Sequence, residues 1–260
     1  MLKRLVLVAL LVLSVRAQAL EYTDVYYDAA ESGWGVFLVQ SDTTQFLAFF
    51  IYGPDGKPTW YVAILASDGA GKFTGSLYAT TGTYFASPWQ GNNTAAAGTV
   101  TFAPTDRYHA TLTYTVTGVG TVTKAVVRQT LTAYQMSGSY SGSMAGSVSA
   151  CTDPTQNDPS FRANYTLAAT QNGDTDASLT FTFVDTAHSG LVCTVSGPLN
   201  HFGRLYQLAG QITCVGGNPH PATIDALHPT GQGIEGYMTG TTGGGCQVSL
   251  HFAAVLDANN

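Results

Sequence analysis

Charge is what this chain most lacks. Lys and Arg number 10 and Asp and Glu 16 among 260 residues, so 10% of the chain is charged, against about 25% in an average soluble domain. No basic stripe is present for a phosphate backbone to follow. Neither nucleic acid nor an anionic membrane surface is an expected partner. Long apolar runs are equally scarce. Residues 5–15 form one, too short to cross a bilayer, and helical periodicity is missing after it. The short signatures of catalysis are missing too. There is no G-x-S-x-G elbow, H-E-x-x-H pair, P-loop or dinucleotide fingerprint. Cysteine is absent from the first 150 residues.

What is present begins with an export signal. Lys3 and Arg4 precede the apolar run, and Ala17-Gln18-Ala19 is a small-x-small cleavage site. Residues 1–19 therefore read as a signal peptide, with the mature chain starting at Leu20 in the periplasm or outside the cell. Membrane insertion is not expected after cleavage. Without Lys3, Arg4 and Arg16 the chain keeps 7 basic and 16 acidic residues, a net charge of −9. Cys151, Cys193, Cys214 and Cys246 are an even set in an exported chain, which favours disulfides. Their spacing fits no zinc pattern. Of three pairings, Cys193–Cys214 is preferred, because the flanking segments can form one hairpin turning near Gly203. Cys151–Cys246 would then join the first and last strands of the same domain.

Alternation with period 2 dominates the rest. Residues 35–40, 45–52, 59–66, 71–80, 98–102, 108–117 and 122–131 read as strands, punctuated by turns such as Gly53-Pro54-Asp55-Gly56. Residues 161–169, 179–184, 191–195, 205–214, 234–238 and 246–255 repeat the theme. The fold class is all-β, with two antiparallel domains: residues 20–136 and a disulfide-bonded domain at 137–260. A meander of this length closes on itself to remove edges, so up-and-down barrels are expected, with sandwiches the alternative. Residues 137–143 are either a linker or the first strand of the second domain. Residues 108, 110, 112, 114 and 116 form one core face. Strands 45–52 and 59–66 differ: Phe46, Ala48, Phe50 and Tyr52 oppose Leu47, Phe49 and Ile51, so both faces are apolar. Such a sheet should be covered on both sides. The second domain is the simplest cover; a second copy of the chain or a partner are the others.

Glu31-Ser32-Gly33-Trp34-Gly35, the run from Tyr52 through Gly56-Lys57-Pro58-Thr59-Trp60-Tyr61, and Tyr114-Thr115-Val116-Thr117-Gly118 with Lys124 and Arg128-Gln129 come in order. Together they resemble an uncharacterised domain of exported proteobacterial proteins, with E-S-G-W-G, Y-x-x-x-G-K-P-x-W-Y and Y-T-V-x-G motifs. The resemblance covers roughly residues 26–131. It implies a β-rich extracytoplasmic module and no activity.

Candidate chemistry is thin. His109, His188, His201, His220, His228 and His251 have no His partner at i+2 or i+4. His220 and His228 each precede a proline and read as one solvated loop. Asn172-Gly173-Asp174-Thr175-Asp176 lacks a later acidic ligand and reads as a hairpin loop. No metal or cofactor is expected. The aromatics are the better lead: flat rings with polar handles suit sugar or peptide surfaces. The candidate ligand site is Trp34, Tyr52, Trp60, Tyr61 and Trp89, with Glu31 and Arg128 orienting the ligand at the barrel mouth. The expected function is a non-catalytic binding or interaction module. Its ligand would be a glycan or cell-envelope polymer, or else a protein partner; a homo-oligomer is compatible. The alternatives are a hydrolase built from scattered carboxylates and a structural or assembly protein.

Overall fold

The structure, a computed structural model, describes residues 20–258, so the signal read at residues 1–19 lies outside the described residues. Strands β1 (Asp24–Tyr27), β2 (Gly35–Ser41), β3 (Thr44–Tyr52), β4 (Pro58–Ser67), β5 (Phe73–Gly82), β6 (Asn92–Pro104), β7 (His109–Val116) and β8 (Gly120–Arg128) run antiparallel in chain order. They close when β8 pairs back onto β1. Strands β9 (Gly138–Ser149), β10 (Asp158–Asn172), β11 (Asp176–Phe183), β12 (Val192–Phe202), β13 (Leu205–Cys214), β14 (His220–Pro229), β15 (Gly233–Thr241) and β16 (Gln247–Leu256) close a second barrel through β16 on β9. Both are up-and-down barrels, and the sandwich alternative falls away.

Each barrel is filled rather than hollow through its middle. Val36, Leu38, Leu47, Phe49, Leu65 and Phe102 pack the first interior; Tyr165, Leu179, Tyr206, Leu208, Ile224 and Phe252 pack the second. The inward residues are alternate ones, as the pleat requires. Turns fall where the sequence puts glycine: Gly56 (φ 73°) ends the Gly53–Lys57 loop, and Gly203 (φ 65°) turns β12 into β13. The turn at Gly203 sets Cys193 opposite Cys214 in the ladder, and these two form a disulfide. Cys151–Cys246 is the second disulfide.

Several elements differ from the sequence reading. Asp24–Tyr27 is a strand that alternation did not reveal, being only four residues long. Residues 220–229 are strand β14 and not a solvated loop, so His220 and His228 stand at its two ends. Its prolines are tolerated because they lie near the strand ends, and a register shift between Asp225 and His228 relieves the ladder. The Gly- and Ser-rich stretch from residue 138 is strand β9. Glycine is needed there because a Cβ at Gly146 would meet the Ser249 carbonyl oxygen at 2.0 Å. Tyr108 lies in the loop before β7 and leaves its own core face. Its ring stacks on Phe202 of the second barrel at 4.5 Å, and its hydroxyl accepts from the Ala226 backbone N–H at 2.8 Å.

The barrels meet through this end. Arg107 lies over the Tyr237 ring at 4.4 Å, Arg204 pairs with Glu21, and the Gly203 turn sits against Asp24 and Arg128. The second barrel therefore does not cover the outer face of β2–β4. The expected cover is wrong because the contact runs barrel end to barrel end, leaving the sheet's flank outside it.

Candidate functional site

The uncovered flank is the most unusual surface of the described chain. Register places its outward side chains in rows across β2, β3 and β4. Gly35, Phe50 and Trp60 form the first row, Phe37, Ala48 and Val62 the second, and Val39, Phe46 and Ile64 the third. Phe50, Trp60 and Ile64 are 49%, 55% and 59% exposed. Phe37 and Phe50 meet edge to face at 5.1 Å. No member of the three rows is charged. The opposite phase of the same strands, Leu47, Phe49, Ala63 and Leu65, is wholly buried. Two-phase apolar alternation thus splits into a filled interior and an exposed exterior.

The Glu31–Gly35 segment borders the first row. Gly33 has φ 108°, a conformation that favours glycine, and a Cβ there would lie 3.6 Å from the Tyr52 hydroxyl. The turn swings Trp34 back so that its indole N–H donates to Glu31 Oε2 at 3.0 Å. The Lys124 ammonium donates to Glu31 Oε1 at 2.5 Å. Lys124 and then Trp34 hold the Glu31 carboxyl below its ordinary range, and Glu31 holds the Lys124 ammonium above its own. A groove runs alongside, lined by Tyr27, Ser32, Trp34, Phe37, Phe50 and Gln129.

The structure brings Glu31, Trp34, Tyr52 and Trp60 to one end of the first barrel and its adjoining flank. Tyr61 points the other way, half-buried against the interior. Trp89 is exposed on the β5–β6 loop at the same barrel end, beside an exposed Tyr84–Phe85 pair. Arg128 lies at the opposite end, facing the second barrel, and does not accompany Glu31. Its guanidinium pairs with Asp24 at 2.9 Å and donates to the Arg107, Thr23 and Glu21 carbonyls, closing β8 onto the entering chain. The two basic residues share one strand face, as the sequence indicates, but Lys124 sits at the middle of β8 and Arg128 is its last residue, at the barrel end away from Glu31. Phe37, Val39, Phe46, Phe50 and Ile64 are the large members of the exposed β2–β4 face that the candidate site drawn from the sequence lacks. Their signal, apolar residues in both phases, implies a sheet covered on both sides rather than an open surface.

A second, polar pocket of about 310 Å³ lies between the barrels. His228 and His251 approach Glu235 at 3.5 and 4.0 Å, and Glu21 lines the same pocket while held by Arg204. These groups come from distant strands, which no local motif could reveal. Among the described residues no group of three His, Cys, Asp or Glu side chains is placed to hold a metal ion. No family model matches this chain, and no curated protein matches it.

Proposed function

We propose that this is an exported, non-catalytic binding module that engages its ligand through the flank and adjoining end of the first barrel. The observation that carries the reading is the three-row apolar face on β2–β4, uncharged and half exposed. Contiguous apolar patches of this kind mark interaction sites in soluble proteins. The ligand class we favour is a glycan or cell-envelope polymer lying along Trp34, Phe50 and Trp60. Rings offer flat apolar faces there, with Glu31, Ser32 and Gln129 as hydrogen-bonding neighbours. A protein partner is the next choice, favoured by the aliphatic row of Val39 and Ile64 around Phe46. Export itself is supported by the two disulfides, which belong in an oxidising compartment.

Co-sedimentation with isolated cell-envelope polymer tests the proposal. Wild type should bind, and the Phe50→Ala/Trp60→Ala double variant should lose at least tenfold in affinity while staying folded. Undiminished binding by that variant would overturn it. The competing hydrolase reading draws on Glu21 and Glu235 in the inter-barrel pocket. Soluble sugar released by wild type, and abolished in Glu235→Gln, would replace the binding reading with that one.

A further inference from the structure

The second barrel is open at the end remote from the first. There the interior holds a cavity of about 400 Å³, within the range of roughly 300–1,000 Å³ that small-molecule sites occupy. Phe181, Ile212, Met238 and Leu250 form its floor, pointing inward from four strands. Below them the barrel is filled: Phe181 meets Tyr165 at 5.0 Å and Phe252 at 5.3 Å. Phe161, Phe183 and Leu191 make the wall, and Asn218, His220 and Thr242 supply polar groups near the rim. None of the lining residues is Asp, Glu, Lys or Arg. The ionisable pair behind the wall satisfies itself: His188 packs on Phe161 at 4.9 Å, and its Nδ1 lies 2.7 Å from Asp185 Oδ1.

From this geometry we propose that the distal mouth of the second barrel binds a small, uncharged, apolar molecule with one hydrogen-bonding end. The apolar floor disfavours a charged ligand, because an ion desolvated there would meet no Asp, Glu, Lys or Arg. All eight strands contribute to the wall around the mouth, so a protein segment has no open groove to cross. The polar residues near the rim fit a hydroxyl or ester that stays close to water while a hydrocarbon part enters. Both disulfides lie at this end. Cys193–Cys214 is part of the cavity wall, and Cys151–Cys246 ties the β9–β10 loop to the β15–β16 loop. A mouth braced in this way is shaped before the ligand arrives, which lowers the ordering cost of binding.

The site is separate from the first barrel's flank, and its test is separate as well. The uncharged fluorophore N-phenyl-1-naphthylamine is titrated into the full chain. Saturable binding with a blue-shifted emission is expected, displaced by 1-decanol at least tenfold more effectively than by decanoate. With [methyl-13C]methionine labelling, the Met238 signal should shift on binding while Met136 and Met144, buried elsewhere in the barrel, stay in place. Leu191→Trp, which fills the wall, should weaken binding at least tenfold, and Phe50→Ala/Trp60→Ala should leave it unchanged. The methyl signals of the unmodified protein decide the matter if Leu191→Trp fails to fold. Absence of saturable binding, equal displacement by decanoate, a still Met238 signal, or loss of binding in the first-barrel variant would each overturn the proposal.

Discussion

Trp60 stands directly across the β3–β4 ladder from Phe50, on the outside of the first barrel, and neither ring is covered by the rest of the described chain. One residue along in each strand, Phe49 and Tyr61 also face each other, on the inside. The same two strands thus carry a core and an uncovered apolar surface, which gives mutations on them opposite consequences.

Leu47→Ala is expected to destabilise the first barrel by about 2–5 kcal/mol, the usual cost of truncating a buried leucine. Phe46→Ala, its outward neighbour, should cost no more than about 1 kcal/mol, the scale of a cross-strand contact. Urea denaturation of the two variants separates them. Equal losses would mean that the outer face is a folding element and not a surface held for binding.

Arg128→Met should cost about 3–5 kcal/mol, since it strands the Asp24 carboxylate in a dry contact. The lost hydrogen bonds also release the chain entering β1, so the change should appear as faster amide exchange in β1 and β8. A variant with native exchange there would contradict the structural role assigned to this arginine.

Removing Cys151–Cys246 should destabilise the second barrel more than removing Cys193–Cys214. The residues are 95 and 21 apart in sequence, and chain-entropy arguments give roughly 4–5 and roughly 3 kcal/mol respectively. Paired Cys→Ser variants compared by thermal unfolding test the order.

The Glu31 carboxyl titrates below its ordinary 4.5 because Lys124 and Trp34 donate to it. A depressed acid stabilises the folded state above its unfolded pKa, and that contribution disappears as pH falls through the lower folded value. Lys124 is raised above 10.5, so its share is present below that pH and disappears as pH climbs through the folded value. The contact at Trp34 should therefore hold between these limits and open on acidification below about pH 4.5. Trp34 fluorescence in a chain lacking the other two tryptophans should follow this titration, and Glu31→Gln should abolish it.

Much of the fold is local in origin and so was legible. Gly56 and Gly203 mark their own turns, and the hairpin at Gly203 makes Cys193–Cys214 the preferred one of three pairings, which the structure contains. The length of the meander favours closure but leaves a sandwich open, and the β8–β1 and β16–β9 pairings decide for barrels. Strand β14 escaped because His-Pro at each end looks like a loop, and only the paired neighbours β13 and β15 hold it extended. The candidate site was half legible. Trp34, Tyr52 and Trp60 stand out as clustered aromatics of the first domain, but Tyr61 faces inward and Arg128 lies at the other end. Strand faces and barrel ends are set by pairing register, which spacing along one strand does not determine. The second barrel's cavity left no sequence signal, because its floor comes from four strands that meet only after closure.

Tryptophan fluorescence tests the central claim most directly. The chain has three tryptophans, Trp34, Trp60 and Trp89, so three variants can each keep one, with Phe at the other two. Each is titrated with soluble cell-envelope glycan fragments. The account predicts a saturable blue shift at Trp60, accompanied by a change at Trp34. A Trp60 emission that stays at its water-exposed wavelength through saturation would contradict it.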